Sequence, residues 1–553
     1  MKEGNDQQEL SILDGQTESE LASNNQQDVD VIDAILSDLG GTFRKYQIIN
    51  YILFCIPFAL SGTFALSYVF TALNLNYRCY IPECEEIEST LFAPDWLENV
   101  VPFSNGKPTS CNRYESNNFT YECVAAKFNE SSIQRCDEFI YETAETSIVS
   151  EFGLQCDNNL WKLAMVGTAN NIGRFVFTPL MGYMSDRFGR RTILIAGVLG
   201  SVIFAYIRSL APNYNTFVIF EFLDAGIGSV TYSASFILAM EWIGVRDRIL
   251  LVTLITATYP FGQIFLGLTA RAIQDFRRLL QIIYAPGLLI LMYLWVAPES
   301  IRWLIVNGHK NRVLKTLARA ERINGIRLTQ KTIDLINQER TGRDNAPIGK
   351  VDRITDVLKK RVFLIRLAIC TFAWISSAFV SYGISLTSVS LAGDKYVNFV
   401  VVAVAGIPAM VLCYFMMEWF GRRWTLFSSL LIGGTSIICS KLMPVHLSAL
   451  SIALFFVGKL FITVAFTGLY IYTSELWPTN MRHSIMGLCS TMGRIGAMFA
   501  PFAPLLSQYV DILPYLTFGG MALIAAVLIL LLPETRNKKL PDSLYEAENI
   551  ADQ

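Results

Sequence analysis

The stretch at residues 182–200, GYMSDRFGRRTILIAGVLG, places a compact charged turn between two apolar runs. One acidic and three basic side chains lie within the six residues of DRFGRR. A shorter version, EWFGRRWTL, occupies residues 418–426. Because the same charged turn interrupts apolar sequence twice, the chain is expected to repeat one structural unit.

The apolar composition indicates a polytopic membrane protein. Of the 553 residues, 52% are hydrophobic and only 17% are charged, whereas soluble proteins usually carry about a quarter. The apolar residues form blocks of roughly 18 to 25, the length of helix that crosses a bilayer. Twelve blocks, in two groups of six, begin near Ile48, Leu160, Thr192, Thr216, Ile249, Leu279, Phe363, Tyr396, Thr425, Ala449, Ser484 and Ile512. The sequence predicts an all-α fold and no nucleic-acid partner, because its basic residues are divided among short loops.

Lysine and arginine mark one side of the predicted bundle. Its short loops receive Arg187, Arg190, Arg191, Arg246, Arg248, Arg422, Arg423 and Arg482, and the connector at residues 298–361 is also basic. The N-terminal segment is acidic and polar and lacks the pattern of a cleaved signal peptide. By the positive-inside rule, we expect the connector and both termini in the cytosol.

The long loop at residues 74–159 supports the same orientation. It contains Cys79, Cys84, Cys111, Cys123, Cys136 and Cys156, an even set that suggests three disulfides in an oxidising compartment. Six cysteines allow fifteen connectivities, which sequence alone leaves open. Glycosylation sequons begin at Asn118 and Asn129. We therefore expect this loop to be extracellular.

Three landmarks recur at a nearly constant offset. Arg190 and Arg191 return as Arg422 and Arg423, Glu241 returns as Glu475, and Pro-Glu-Ser at 298–300 returns as Pro-Glu-Thr at 533–535. The chain is thus predicted to hold two six-helix halves, as in transporters whose halves rock about a midplane site. The expected division is a cytosolic segment (1–47), a first half (48–297), the connector (298–361), a second half (362–532) and a tail (533–553).

The charged turns are candidates for a gate at the cytosolic side. Gly189 permits a tight bend, and the charges beside it can pair with neighbouring helix ends, for which Glu241 and Arg248 are the expected partners. The proposed gating set is Asp186, Arg187, Arg190, Arg191, Glu241, Arg248, Arg422, Arg423, Glu475 and Arg482. The alternative is that these arginines only fix the topology.

The motif GYMSDRFGRR resembles the loop signature of the major facilitator superfamily. APESIRWLI (297–305), EFGLQCDNNLWK (151–162), YTSELWPTNMR (472–482), LLPETRNKKLP (531–541) and the cysteine-rich loop together resemble the organic ion transporters of solute carrier family 22. This family comprises cation, anion and carnitine carriers. Sugar porters share the charged turns but usually lack the large loop, so the resemblance to them is weaker than that to the organic ion transporters.

Charges inside membrane helices are candidates for substrate binding, because burying them is costly. Arg494 lies about ten residues into the eleventh span, where the resemblance implies Asp in cation carriers and Arg in anion and carnitine carriers. An arginine binds a carboxylate bidentately; the alternative is a structural pair. Met410 stands where anion carriers often have a second cation, and Gly406 where many cation carriers have an acid. Because of these two departures, the sequence does not assign the chain to either the anion carriers or the cation carriers.

Further candidates lie in spans four, seven and ten. Glu221 and Asp224 share one helix face and could hold an ammonium, couple H⁺ or Na⁺, or neutralise Arg174. Lys459 is a candidate substrate-lining or conformational charge. Trp374, Phe379, Tyr382, Phe466 and Tyr470 could line a cavity and attract ammonium groups by cation–π contacts; Trp374 and Tyr382 match aromatic positions of the family.

The sequence favours a plasma-membrane secondary transporter of small organic ions. A carnitine-like zwitterion or organic cation is the expected substrate, an organic anion is the alternative, and a non-transporting sensor on the same fold is the rival class. Coupling to Na⁺ or H⁺ is left open. An enzyme is not expected: the three histidines lack metal-ligand spacing, and no nucleophile elbow or phosphate-binding glycine loop is present, so no cofactor is predicted.

Overall fold

A computed structural model describes residues 35–85, 91–104, 107–116, 123–243, 247–330, 332, 360–391, 393–478, 481–536, 538, 541 and 544–548. We number the long helices in chain order. They are α1 Lys45–Ala65, α2 Leu160–Phe188, α3 Arg190–Ser209, α4 Tyr214–Met240, α5 Arg248–Ala272, α6 Phe276–Leu294, α7 Lys310–Asn324, α8 Arg361–Thr387, α9 Lys395–Phe420, α10 Arg422–Leu442, α11 Ser448–Glu475, α12 Arg482–Phe499 and α13 Leu513–Ile529. Shorter helices lie at Tyr68–Thr71, Ile148–Glu151, Ile301–Val306 and Leu544–Glu548.

Twelve of these helices correspond to the predicted spans, and α7 belongs to the connector. Nine helices of the described chain are long and apolar enough to cross a membrane. The other three are α2, α12 and α13; α2 carries Asn170, Asn171 and Arg174 in its middle, and α13 has only 17 residues. Each predicted block starts within about three residues of an observed helix, because apolar length dominates this signal.

Each half has its own apolar core. Phe54, Trp242 and Tyr284 lie in the core of the first half, and Tyr472 and Trp477 lie in that of the second. The halves meet where α5 packs on α9 and where α2 packs on α12. We call the end of the bundle that carries the 74–159 loop the loop end, and the opposite end, with the two charged turns, the arginine end.

The loop folds as a small β-rich unit. Its strands are β1 Tyr77–Cys79, β2 Phe103–Ser104, β3 Lys107–Pro108, β4 Asn112–Ser116, β5 Phe128–Arg135 and β6 Phe139–Tyr141. They pair antiparallel as β1 with β6, β2 with β3 and β4 with β5. Apolar side chains that include Ile81, Val100 and Phe128 form a core beneath them.

Three disulfides hold this unit together, as the cysteine count predicted. The pairs are Cys79–Cys136, Cys84–Cys123 and Cys111–Cys156, with Cα–Cα distances of 5.6, 5.6 and 5.7 Å. The structure thus selects one of the fifteen connectivities. Because Cys156 lies four residues before α2, the third bridge ties the loop to the helical bundle.

The connector helix α7 ends at a glycine. Gly325 follows Asn324 with a φ of 69°, a left-handed conformation that glycine adopts without strain. The buried side chains Val313, Leu317 and Ala320 define the face of α7 that packs on the bundle.

Candidate functional site

Charged side chains link α2, α3 and α4 at the arginine end. Arg190 lies 3.0 Å from Asp186 and 3.7 Å from Glu241, whereas Arg187 points to solvent over the Phe188 ring. Burial raises the pKa of Glu241, and the nearby Arg190 opposes this rise. The predicted partnership between the charged turn and Glu241 is therefore present.

Glu299 completes this network, although it was not among the predicted gating residues. Its carboxylate accepts from the Arg191 backbone amide at 3.0 Å, and the Arg191 guanidinium donates to the Ala297 carbonyl at 3.0 Å. A Cβ on Gly189 would lie 2.5 Å from the Glu299 carboxylate, and its φ is 100°. Glycine is required there both for backbone conformation and for space.

The second half repeats this arrangement. Arg422 binds Glu475 at 3.1 Å, and Glu534 accepts from the backbone amides of Arg422 and Arg423 at 2.8 and 3.0 Å. Gly421 has a φ of 86°, and a Cβ there would meet the Glu534 carboxylate at 2.8 Å. The sequence signal for Glu299 and Glu534 was their recurrence in the Pro-Glu-Ser and Pro-Glu-Thr pieces.

Each of these contacts joins residues of the same half. The network therefore joins helices of the same half, and no described ion pair at the arginine end links the halves. The Arg248 side chain, an expected partner, lies outside the described side chains. Arg482 is the first residue of α12.

Four tyrosines that are only half-buried meet between the halves at mid-depth, and we infer that they line a cavity. Tyr232 and Tyr259 come from the first half, and Tyr382 and Tyr470 from the second; each is half-buried although it lies in the middle of the bundle. Tyr470 and Tyr232 lie close together across the cavity and interact electrostatically. Sequence reasoning missed Tyr232 and Tyr259, because a single tyrosine in a membrane helix is usually packing.

Arg494 faces this cavity from α12. The guanidinium is half-buried and interacts electrostatically with Tyr232, Tyr259 and Tyr470. It lies twelve residues from the start of α12, about 18 Å along the axis. Among the described residues no carboxylate forms an ion pair with it.

Two of the three remaining predicted aromatic residues lie behind the tyrosines. Trp374 is buried, donates to the Thr473 hydroxyl at 3.0 Å and packs edge-on against Tyr470 and Phe466, with ring centroids at 4.4 and 5.7 Å. The Phe379 ring instead packs against Phe518 of α13 at 5.2 Å. Trp374 and Phe466 thus support the cavity wall, and Phe379 lies on the other side of α8.

Lys459 lies nearer the loop end, between α11 and α8. Its ammonium donates to the Ser381 carbonyl at 3.0 Å and to the hydroxyls of Ser381 and Ser385 at 3.3 and 3.0 Å. The residue is only 6% exposed. All of these partners are neutral oxygens.

Glu221 and Asp224 form a buried ion cluster with Arg208 of α3. Arg208 binds Glu221 directly and lies 3.2 Å from Asp224, and all three side chains are essentially inaccessible. One alternative from the sequence was that they neutralise Arg174. Arg174 does interact with both carboxylates, and the direct ion-pair partner is Arg208, which the sequence reasoning missed.

Every carboxylate oxygen of this cluster already has a buried donor. Asn170 donates to Glu221 at 2.6 Å, while Ser201 and Tyr284 donate to the two oxygens of Asp224, each at 2.6 Å. Each carboxylate oxygen is therefore already satisfied within the protein, and both side chains are buried.

Arg174 connects this cluster with the cavity. Its Nε donates to the Asn170 side chain at 2.9 Å, and its charge interacts with Glu221, Asp224 and Tyr259. The charges of Glu221 and Asp224 are thus balanced by those of Arg208 and Arg174. On the opposite wall, the charge of Arg494 has no described carboxylate to balance it. The cavity is suited to a negatively charged group.

The loop end holds contacts between the halves. Glu145, from the loop, is an ion-pair partner of Lys395 and accepts from the Tyr396 hydroxyl at 2.6 Å. Arg271 of α5 lies 3.4 Å from Asp394. Among the described ion pairs, those that join the two halves therefore lie at the loop end.

Comparisons with known proteins agree with this architecture. The profile of the Major Facilitator Superfamily matches residues 143–501 and 377–548. Among solved structures, the inward-open xylose transporter XylE from E. coli is 20% identical, with a TM-score of 0.55 over 71% of this chain and 92% of that one. A D-xylose-proton symporter gives a TM-score of 0.56 at 16% identity, over 90% of this chain and 100% of that one. These likenesses define the fold: the protein is a membrane transporter of the major facilitator class, not an enzyme.

The curated relatives narrow this class. Solute carrier family 22 member 2 from Homo sapiens is 30% identical over 92% of this chain and 94% of the relative. Organic cation/carnitine transporter 2 from Homo sapiens is 29% identical, over 94% of this chain and 93% of the relative. An organic cation transporter protein from Drosophila melanogaster is 27% identical over 94% of both chains. The chain belongs to solute carrier family 22 of the Major Facilitator Superfamily, which confirms the resemblance drawn from its motifs.

Proposed function

We propose that this transporter carries a small organic ion with a carboxylate, and that a carnitine-like zwitterion is its best substrate. The observation that carries the proposal is Arg494, a half-buried guanidinium at mid-depth without a described carboxylate partner. Leaving a buried charge uncompensated costs several kcal/mol. A substrate carboxylate would supply the missing partner in bidentate geometry.

The tyrosines provide for the other end of the substrate. Tyr232, Tyr259, Tyr382 and Tyr470 present rings and hydroxyls to the same space, and an aromatic face attracts an ammonium by about 0.5 to 2 kcal/mol. We therefore propose that the ammonium binds the tyrosine rings rather than Glu221 or Asp224. The names of the relatives, which include organic cation/carnitine transporters, support a zwitterion. An organic anion is the second candidate, because the leftover charge of the cavity is positive.

The location in the cell is part of the proposal. We place the protein in the plasma membrane with the loop end outside and both termini in the cytosol. The three disulfides support an oxidising compartment at the loop end. Asn129 is exposed on β5 and could carry a glycan; Asn118 lies outside the described residues.

Uptake in oocytes tests the substrate. Carnitine, tetraethylammonium and p-aminohippurate would be compared in wild type, Arg494→Ala, Arg494→Lys and a control, Arg278→Gln, that removes an exposed charge at the loop end. Losing a hydrogen bond to a charged group costs about 1.5 to 3 kcal/mol, so Arg494→Ala should raise the KM for carnitine roughly 10- to 100-fold. Arg494→Lys should retain part of the uptake.

Unchanged carnitine KM in Arg494→Ala, at normal surface expression, would contradict the assignment. Preference for tetraethylammonium in wild type would favour a plain cation and move the site to the tyrosines alone. Repeating the assay without Na⁺ and at two pH values tests coupling. Uptake that depends on neither ion gradient would make the protein a facilitative carrier.

A further inference from the structure

The connector helix α7 carries basic residues on the side opposite to its packed face. The packed face consists of Val313, Leu317 and Ala320, and the opposite side consists of Arg312, Lys315, Arg319 and Arg322, which we call the basic stripe. At 100° per residue the stripe spans about 80° of the helix surface. All four side chains are exposed.

Contacts with α6 place the stripe at the edge of the bundle. Arg319 donates to the carbonyls of Trp295 and Val296, each at 3.3 Å. Trp295 is 73% exposed, and α6 exposes a series of apolar side chains just before it, namely Leu288, Leu289, Leu291, Met292 and Leu294. In a membrane helix such a face meets lipid, and tryptophan concentrates at the interface. The stripe therefore lies at headgroup depth.

Contacts with α1 also indicate that the basic stripe lies at headgroup depth. Asn324, at the end of α7, accepts from the Tyr46 backbone amide at 2.9 Å and donates to Gln47 at 3.0 Å. These residues open α1, whose exposed apolar side begins at once with Ile48, Ile49 and Ile52. Arg44 and Lys45 are exposed beside them and extend the basic surface.

Among the described residues, acidic side chains do not neutralise this surface. Between residues 302 and 330 the sequence has one acid, Glu321, which is half-buried and accepts from the Leu328 amide at 2.6 Å. The nearby Asp38 is held by Thr332, whose hydroxyl lowers the pKa of the carboxyl. Within the described part of the chain, no ion pair engages the basic stripe.

We propose that the basic stripe binds the headgroups of anionic phospholipids and fixes the first half to an anionic membrane surface. The occupant is a lipid because the stripe lies beside the lipid-facing ends of two helices, at headgroup depth. Each basic residue near such a surface strengthens the attraction about fivefold. Arg319 serves both the stripe and the end of α6, so lipid binding would act on the position of α7 against the bundle.

Purified full-length protein in neutral detergent tests the proposal without any need for a substrate. Its Tm would be measured with dioctanoyl phosphatidylserine and with dioctanoyl phosphatidylcholine at equal concentration. The test variant is Arg312→Gln, Lys315→Gln and Arg322→Gln, which spares Arg319. The matched control removes three exposed charges at the loop end: Arg135→Gln, Arg278→Gln and Lys441→Gln.

We expect phosphatidylserine to raise the Tm of wild type and control more than phosphatidylcholine does, and the test variant to lose at least half of that difference. A conservative variant, Arg312→Lys with Arg322→Lys, should retain it, which separates charge from folding defects. Equal shifts with both lipids, or an undiminished shift in the test variant, would overturn the proposal. Inositol hexakisphosphate that reproduces the phosphatidylserine shift without lipid would also overturn it, in favour of a soluble polyanion.

Discussion

Removing Arg208 should destabilise the protein more than removing Arg208 and one of its partners together. In Arg208→Leu, the carboxylates of Glu221 and Asp224 stay in a site with essentially no solvent access. Breaking a buried pair in this way costs about 3 to 5 kcal/mol. That is a large share of the ~5 to 15 kcal/mol by which proteins are typically stable.

The double variant Arg208→Leu with Glu221→Gln restores the charge balance. Asp224 then remains as one negative charge opposite Arg174, and the oxygen of the introduced amide can still accept from Asn170, as the carboxylate of Glu221 does at 2.6 Å. The second substitution should therefore recover about half of the loss, a coupling of roughly 2 kcal/mol, within the range seen for residues in one network.

The assay is thermal unfolding of purified protein in detergent, with surface expression as a second measure. The expected order of Tm is wild type, then the double variant, then Arg208→Leu. A normal Tm for Arg208→Leu, or a double variant no more stable than this single one, would refute the reasoning. Uptake then separates the roles of Glu221: a stable double variant that still transports identifies a structural support, and one that is stable but inactive gives Glu221 a role in binding or ion coupling.

Two further predictions concern the ends of the bundle. Glu145→Gln should shift the population toward opening at the loop end, because it replaces a charge-assisted bond worth about 1.5 to 3 kcal/mol. Electron–electron resonance distances between spin labels on the two halves would show this shift. In the control Glu142→Gln, whose partner Asn76 lies within the loop region, the distances should stay unchanged. Gly421→Ala should lower the Tm, because the new side chain meets both a positive φ and a clash with Glu534, at a cost of at least ~1 to 2 kcal/mol. Gly520→Ala, whose Cβ meets open space, is the matched control. Equal Tm changes in the two variants would contradict this view.

The helical architecture was predictable because two strong signals agree. Apolar length predicted twelve spans, of which nine in the described chain are long and apolar enough to cross a membrane, and the recurrence of paired arginines and Pro-Glu pieces predicted the two halves. The same recurrence predicts an equivalent geometry, which the structure bears out: Arg191 and Arg423 each donate from the backbone to the glutamate of the Pro-Glu piece in their own half. Local sequence is sufficient here because each charged turn meets partners at a fixed distance along the chain.

The cavity was less accessible to sequence reasoning because its members come from different helices. Tyr232 and Tyr470 meet across the two halves although they are far apart in sequence, and the rotation of each helix decides which tyrosine faces inward. The cysteine pairing could not be predicted from the sequence either, because it also depends on how distant segments of the chain come together. Trp374 matched a family position, yet its ring lies behind Tyr470, since a motif match does not give the direction of a side chain.

Arg208 and Arg494 show why a buried charge needs its partners before it can be given a role. Both are arginines in membrane helices, so both are functional candidates by default. Arg208 meets two carboxylates and is fully enclosed, whereas Arg494 is half-buried, faces tyrosine rings and has no described carboxylate partner. The first arginine has its charge compensated within the protein, and we propose that a substrate carboxylate compensates the second. On this proposal, substrate recognition belongs to the wall whose charge the fold leaves unbalanced.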